Sequence, residues 1–191
     1  MSHFYTIFVV SGPAGCGKST VASFLAKEFK APFVEGDDLH SAANVAKMTN
    51  GIPLTDEDRV PWLQTIVPTP LAEAKKFAQE PGHHYAFVTC SALKKKYRDI
   101  IRDSTRKLRD VNGESVGVRF LYIKTDPEVL LDRVRARKDH YMKEDMVASQ
   151  IQILEQPTIS ETDIASIEVT GKTPEVVDTL ALQAIKQLVV Y

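Results

Sequence analysis

Cysteine is scarce in this chain: there are two in 191 residues, Cys16 and Cys90. Two cannot build a disulfide framework, so a reducing compartment is expected. Net charge is nearly absent as well, −1 at pH 7, and no long Lys/Arg block occurs. That balance excludes generic attraction to nucleic acid or to a membrane surface. No apolar run approaches the roughly 20 residues of a membrane span. The N-terminus runs into an apolar stretch without the basic region and cleavage site of an export signal. Internal repeats and low-complexity segments are also missing. A soluble, cytoplasmic protein is expected. With 43% hydrophobic and 26% charged residues, the chain has an ordinary globular balance and enough length for one domain with a substantial core.

What is present begins with Gly12-Pro13-Ala14-Gly15-Cys16-Gly17-Lys18-Ser19, which spells G-x-x-x-x-G-K-[ST]. Residues 4–10 before it are apolar and β-branched, a buried strand. After it Val21, Ala22, Leu25, Ala26 and Phe29 recur at helical spacing, so a helix starts near Gly17. Strand, glycine-rich loop and helix in this order form a phosphate cradle. The glycines bring backbone N–H groups close to phosphate oxygens, and the helix start adds unpaired N–H groups and a positive dipole end. Lys18 can reach the β- and γ-phosphates, and the Ser19 hydroxyl can ligate Mg²⁺. A nucleoside triphosphate site is expected.

The rest of the chain alternates strand and helix. Pro32 should stop the first helix. Residues 33–35 give a short second strand ending in the polar turn 36–40, and Ser41 caps a helix reaching Met48. Thr55 and Asp58 resemble a helix start; one helix is expected to enter at Pro61, break near Pro68 and continue to about Gln79. Residues 80–84 read as a loop, 85–90 as the third strand, and a helix with a basic first half opens at Ser91. An exposed loop is expected over 103–117, a fourth strand over 118–123, and a helix from Asp126-Pro127 to about Lys138. A polar break precedes a helix over 143–155. A fifth strand spans 164–169 and a final helix runs from Pro174 to about Val189. This pattern predicts a parallel sheet covered by helices on both faces, with functional loops at the carboxyl edge of the strands.

The loop after the second strand carries Glu35, Asp37 and Asp38 beside the expected position of the γ-phosphate. Such carboxylates can hold Mg²⁺ or accept a proton from an attacking hydroxyl. Asp37 is the preferred functional group; Glu35 stands between function and filler, and Asp38 reads as a turn residue. His40 is either a substrate contact or a surface histidine. Arg59, Lys94 and Arg98 put positive charge near the same edge and suit a small anionic acceptor, since arginine grips a carboxylate through two parallel hydrogen bonds. Trp62 fits either the core or a pocket wall, and Lys95 and Lys96 read as a solvated helix face. Arg133 and Arg137 share a helix face before the polar break, where a lid could stabilise charge on a transferred phosphoryl group. His83, His84 and His140 lack zinc-ligand spacing, so no structural metal is expected, and neither cysteine reads as a nucleophile. No [NT]KxD motif supports a guanine-reading switch.

Together these residues resemble the short, phosphate-loop type of gluconokinase. The match runs through Gly36-Asp37-Asp38-Leu39-His40, Asn44, Lys47-Met48 and Gly51-x-Pro53-Leu54-x-Asp56-x-Asp58-Arg59-x-Pro61-Trp62-Leu63. It continues in Cys90-Ser91-Ala92-Leu93-Lys94-x-x-Tyr97-Arg98-Asp99, in Arg133, in Arg137-Lys138-x-His140-Tyr141 and in Leu154-Glu155-x-Pro157. The resemblance implies an α/β, three-layer fold like the nucleoside monophosphate kinases, with a five-stranded parallel sheet. An acceptor-binding segment at about 38–80 and a lid at about 137–145 would be inserted in one domain covering 1–191. It further implies ATP- and Mg²⁺-dependent phosphorylation of D-gluconate at its 6-hydroxyl, feeding the pentose phosphate pathway, in a cytoplasmic homodimer. By motif position, residues 12–19 with Thr20 and Arg133 would hold the nucleotide. Ser19 and Glu35 would serve the metal, and Lys18, Asp37, Arg133 and Arg137 catalysis. Asp37, His40, Lys47, Arg59, Trp62, Ser91, Lys94, Arg98 and His140 would hold gluconate. The physical reading alone leaves open another small acceptor, such as shikimate or a nucleoside monophosphate, or a nucleotide switch without one.

Overall fold

The computed structural model describes residues 3–106, 108, 114–136 and 144–189. Five strands, β1 (His3–Ser11), β2 (Phe33–Val34), β3 (Gly82–Cys90), β4 (Ser115–Lys124) and β5 (Ile164–Glu168), form one sheet in the order β2-β3-β1-β4-β5. All four pairings are parallel, so every strand delivers its following loop to the same edge. The chain leaves the central strand β1 toward one side of the sheet and returns to the other after β3. The crevice at this reversal is where α/β sheets hold ligands.

Alternation along β1 divides the core. Ile7 and Val9 face a cluster with Trp62, Leu63, Ile66, Leu71, Tyr97 and Ile101. Phe8 and Val10 face Val21, Leu25, Phe87, Leu130, Ala181 and Ile185. The helices α3 (Asp56–Leu63), α4 (Pro68–Phe77) and α5 (Lys95–Arg106) cover the first face; α1 (Lys18–Glu28), α6 (Pro127–Arg135) and α8 (Pro174–Val189) cover the second. A single 3₁₀ turn, Gly36–Leu39, and the short helix α2 (Ala42–Thr49) follow β2, and α7 (Glu144–Gln152) follows α6. No helix among the described residues is long and apolar enough to cross a membrane.

Most boundaries match the sequence reading, and the departures have local causes. The first helix ends before Pro32 takes effect: Lys30 is left-handed (φ 50°), and the Ala31 N–H returns to the Ala26 carbonyl at 2.9 Å, closing the last turn. Pro61 does not start α3. Thr55 does, through a reciprocal capping box with Asp58, and Pro61 sits inside the helix on its solvent side. The break before Pro68 is complete, and that proline becomes the first residue of α4. β3 starts at Gly82, because His83 stacks on its strand partner Phe4 at 5.0 Å and His84 on His3 at 5.2 Å. The loop expected over 103–117 is shorter at both ends: α5 continues to Arg106 with Ser104 and Thr105 buried, and β4 begins at Ser115 against Phe4. α6 stops at Arg135 rather than Lys138. α7 stops at Gln152 because Glu155 is drawn to another partner, its N–H reaching the Leu93 carbonyl at 2.8 Å.

Candidate active site

The loop between β1 and α1 is held open by its glycines. Gly12 has φ 141°, and a Cβ there would lie 2.8 Å from both the Cys16 sulfur and the Ile123 carbonyl oxygen. Its N–H donates to the Ser91 carbonyl at 3.3 Å, tying the loop to the end of β3. Gly17, left-handed at φ 100°, turns the chain into α1, and the Lys18 ammonium rests on the Pro13 carbonyl at 3.0 Å. Gly12, Pro13 and Cys16 shape the loop from behind, while Ala14, Gly15, Gly17, Lys18, Ser19 and Thr20 line a cavity of about 390 Å³. Burial pushes the Cys16 thiol up, and that of Cys90 to about 12, so neither is a thiolate at neutral pH.

The opposite wall comes from the segment after β2. Gly36 is packed so tightly against β3 that a Cβ would lie 1.8 Å from the Thr89 carbonyl oxygen. Its N–H donates to the Thr89 hydroxyl at 2.9 Å, and that hydroxyl donates to Glu35 Oε1. Its carbonyl accepts from Trp62 Nε1 at 2.7 Å. Those bonds present Glu35, Asp37 and Asp38 to the same cavity as Lys18 and Ser19. Trp62 is 4% exposed and carries His40 stacked on its face, 4.1 Å between ring centroids. Among the described residues His40 Nδ1 has no hydrogen-bond partner. Burial, aided by the charge of Arg59, lowers the His40 pKa to about 4, so a neutral imidazole faces the cavity at pH 7. Arg59 closes this wall, its Nη1 on the Leu54 carbonyl at 2.5 Å and its guanidinium 5.7 Å from the Tyr97 ring centre.

Glu35, Asp37, His40, Arg59, Trp62 and Ser91 are therefore brought together with Lys18, Ser19 and Thr20. Arg133 reaches over the loop from α6, its Nη1 3.3 Å from the Gly15 carbonyl oxygen. Arg137, His140 and most of the expected lid lie outside the described residues. Three basic residues expected at the acceptor do not line the cavity. Lys47 is bound by both Asp58 oxygens at 2.7 and 2.8 Å. Lys94 donates to Asp56 at 3.1 Å; Lys96 and the Tyr97 hydroxyl share that carboxylate and hold it well below the usual range. Arg98 is 2% exposed, its Nε and Nη2 gripping Glu161 at 2.9 and 2.7 Å while Nη1 binds the Ala92 and Glu155 carbonyls. These bonds engage all three of its nitrogens away from the cavity, so the structure places Arg98 in the scaffold. The paired arginine pulls Glu161 down to about 2.

Sequence reading missed the third wall. Met146, Ser149, Gln150 and Ile153 share one face of α7 and its exit, and all four line the cavity. Gln150 Oε1 accepts from the Ala14 N–H at 2.8 Å. Only the spacing of three and four residues between them hinted at a common face.

A parallel sheet with a phosphate loop at its centre, and carboxylates facing that loop across one cavity, has the layout of a phosphate-loop kinase. A family model described as an AAA domain matches residues 7–157. The gluconokinase of Gluconobacter oxydans is 40% identical over 170 residues, spanning 88% of this chain and 85% of its own. The thermoresistant gluconokinase of Escherichia coli is 37% identical over 168 residues, with 88% and 87% covered. The crystal structure of a gluconokinase from Sinorhizobium meliloti superposes with a TM-score of 0.73 at 33% identity, over 97% of this chain and 94% of that one. The chain belongs to the gluconokinase family.

Proposed function

We propose that this protein transfers the γ-phosphoryl group of ATP to the 6-hydroxyl of D-gluconate, releasing ADP and 6-phospho-D-gluconate. One observation carries the reading: Lys18 and Ser19 of the phosphate loop line the same cavity as Asp37, His40, Arg59 and Trp62. The name shared by the relatives supports the choice of acceptor.

In the reaction, the acceptor oxygen forms its bond to the γ-phosphorus as the bond to the β,γ-bridging oxygen breaks, and ADP leaves with that electron pair. Asp37 takes or orients the hydroxyl proton. Lys18 and the loop amides hold the β- and γ-phosphates, and Arg133 offsets charge on the moving group. Arg59 suits the gluconate carboxylate, while neutral His40 on its Trp62 platform can accept or donate a hydrogen bond to a polyol hydroxyl. Ser19 with Glu35 or Asp37 suits Mg²⁺, which keeps several waters and needs only one or two carboxylates beside the phosphates. When bound, that ion neutralises phosphate charge. Residues 38–80 then serve as the acceptor-binding segment and residues 137–145 as a lid. Resemblance to the family supports a cytoplasmic homodimer supplying the pentose phosphate pathway.

Acceptor-dependent ADP production tests the reading. Gluconate should stand far above other sugar acids, shikimate and nucleoside monophosphates. Equal rates with several of these, or slow hydrolysis indifferent to all of them, would overturn it.

A further inference from the structure

The phosphate loop of this structure already has one of its amides engaged. Gln150 Oε1 accepts from the Ala14 N–H at 2.8 Å, taking a position that a phosphate oxygen takes in such loops. The end of the nucleotide concerned can be read from the neighbouring contact. Lys18, the side chain that reaches the β- and γ-phosphates, rests on the carbonyl of Pro13, the residue next to Ala14. Asp37 and Ser19 line the same cavity. Gln150 therefore lines the cavity beside the loop residues that Lys18 touches. Its helix is also braced against the acceptor wall. Beyond α7, the Glu155 N–H reaches the Leu93 carbonyl at 2.8 Å, its Oε2 accepts the Lys95 N–H at 2.6 Å, and its carbonyl accepts from Arg98 at 3.0 Å. The α7 segment thus connects the phosphate loop with the strand end that bears Ser91.

Building on the ATP reading above, we propose that Gln150 contacts the γ-phosphoryl group and sets its position. Its carboxamide oxygen accepts from the Ala14 amide; with ATP in the loop, a phosphate oxygen takes that amide and the Gln150 NH₂ donates to a γ-oxygen. A carboxamide fits this dual role because it carries both an acceptor and two donors without charge. Arginine could not accept from Ala14, and a carboxylate would repel the phosphate.

Two variants test the assignment, with titration of ADP and of a non-hydrolysable ATP analogue in Mg²⁺, steady-state rates and thermal melting. Q150E keeps the shape and the acceptor for Ala14, so its melting temperature should stay near the parent's. Its affinity for the ATP analogue should fall at least about tenfold more than its affinity for ADP, by like-charge repulsion at the γ-position. Q150A should lower kcat about 100- to 1000-fold with a smaller change in the KM for gluconate, as removal of one oriented donor does. If both variants keep the parent's kcat and its ratio of ATP-analogue to ADP affinity, Gln150 serves only to pack α7 against the loop and the proposal fails. A parent protein that binds neither nucleotide would overturn the ATP reading itself, a result distinct from normal binding with indifferent variants.

Discussion

Arg59 and Arg98 carry the same side chain, occur in the same set of family motifs and stand near the same sheet edge, yet they have different surroundings. Arg59 lines the cavity, its Nη1 on two backbone carbonyls, and retains its Nε and Nη2 donors for an anion. Arg98 is sealed beneath the loop that follows β3, its donors taken by Glu161 and two carbonyls. Around it Arg102 adds bonds to Glu161, Asp163 and Asp99, all between 2.7 and 2.8 Å. The difference teaches that an arginine in a phosphoryl-transfer motif can serve by holding the wall as well as by holding the substrate. A buried charge with all three nitrogens engaged fixes the backbone that displays its neighbours.

The largest effect should come from the nucleotide side, against which both arginines are measured. Lys18→Ala is expected to lower turnover at least about a hundredfold and to weaken ATP binding, read by single-turnover kinetics and calorimetry. Unchanged ATP titration would contradict the loop assignment. Next in size, Arg98→Ala leaves buried Glu161 with Arg102 alone and frees the Ala92 and Glu155 carbonyls, which should cost up to about 3–5 kcal/mol. For a chain of this size that lowers the melting temperature by roughly 6–20 °C. A variant with normal melting but a gluconate KM raised many-fold would return Arg98 to the acceptor site. Arg59→Ala should behave in the opposite manner: melting temperature within a few degrees of the parent, gluconate KM raised about 10- to 100-fold, and ATP affinity unaltered.

Two smaller effects follow from protonation. Glu161 has its pKa depressed to about 2 from an ordinary 4.5, so the folded state resists taking up a proton that the unfolded chain accepts. Its contribution to stability is complete above pH 4.5 and is lost as pH falls toward 2. In Glu161→Gln that acid-dependent slope should shrink, as measured by urea melts between pH 2.5 and 6. His40 is the counterpart in the cavity. Its pKa, lowered from 6.5 to about 4, favours the neutral ring, so its stabilisation is present above pH 6.5 and is lost toward pH 4. NMR titration should find the His40 imidazole neutral at pH 5.5; a midpoint near 6.5 would mean that the ring is solvated and away from Arg59.

Much of this was legible before folding was considered. Residues 12–19 describe their own site because a phosphate cradle is local: glycine conformations, consecutive amides and a helix start all lie within a few residues of one another. The capping signals at Ser41 and Thr55 are local for the same reason, and both helices begin where those residues indicate. That Asp37 and Trp62 lie beside the cavity was also legible, since their motif spells out a turn and a helix in continuous sequence.

What the tertiary structure alone decided is which partner each polar side chain finds. Glu161 and Asp163 are about sixty residues from the arginines they bind, and nothing at positions 98 or 102 announces them. Lys47 and Lys94 look available in sequence, yet Asp58 and Asp56 lie within reach once α2, α3 and α5 converge. Gln150 meets Ala14 only because α7 folds back over the phosphate loop, bringing together residues 136 positions apart. Backbone conformation and hydrophobic period act over a few residues, so the sequence by itself determined the elements and the phosphate loop. Charge pairing and hydrogen bonding act through space and are settled by which surfaces the packed core brings face to face.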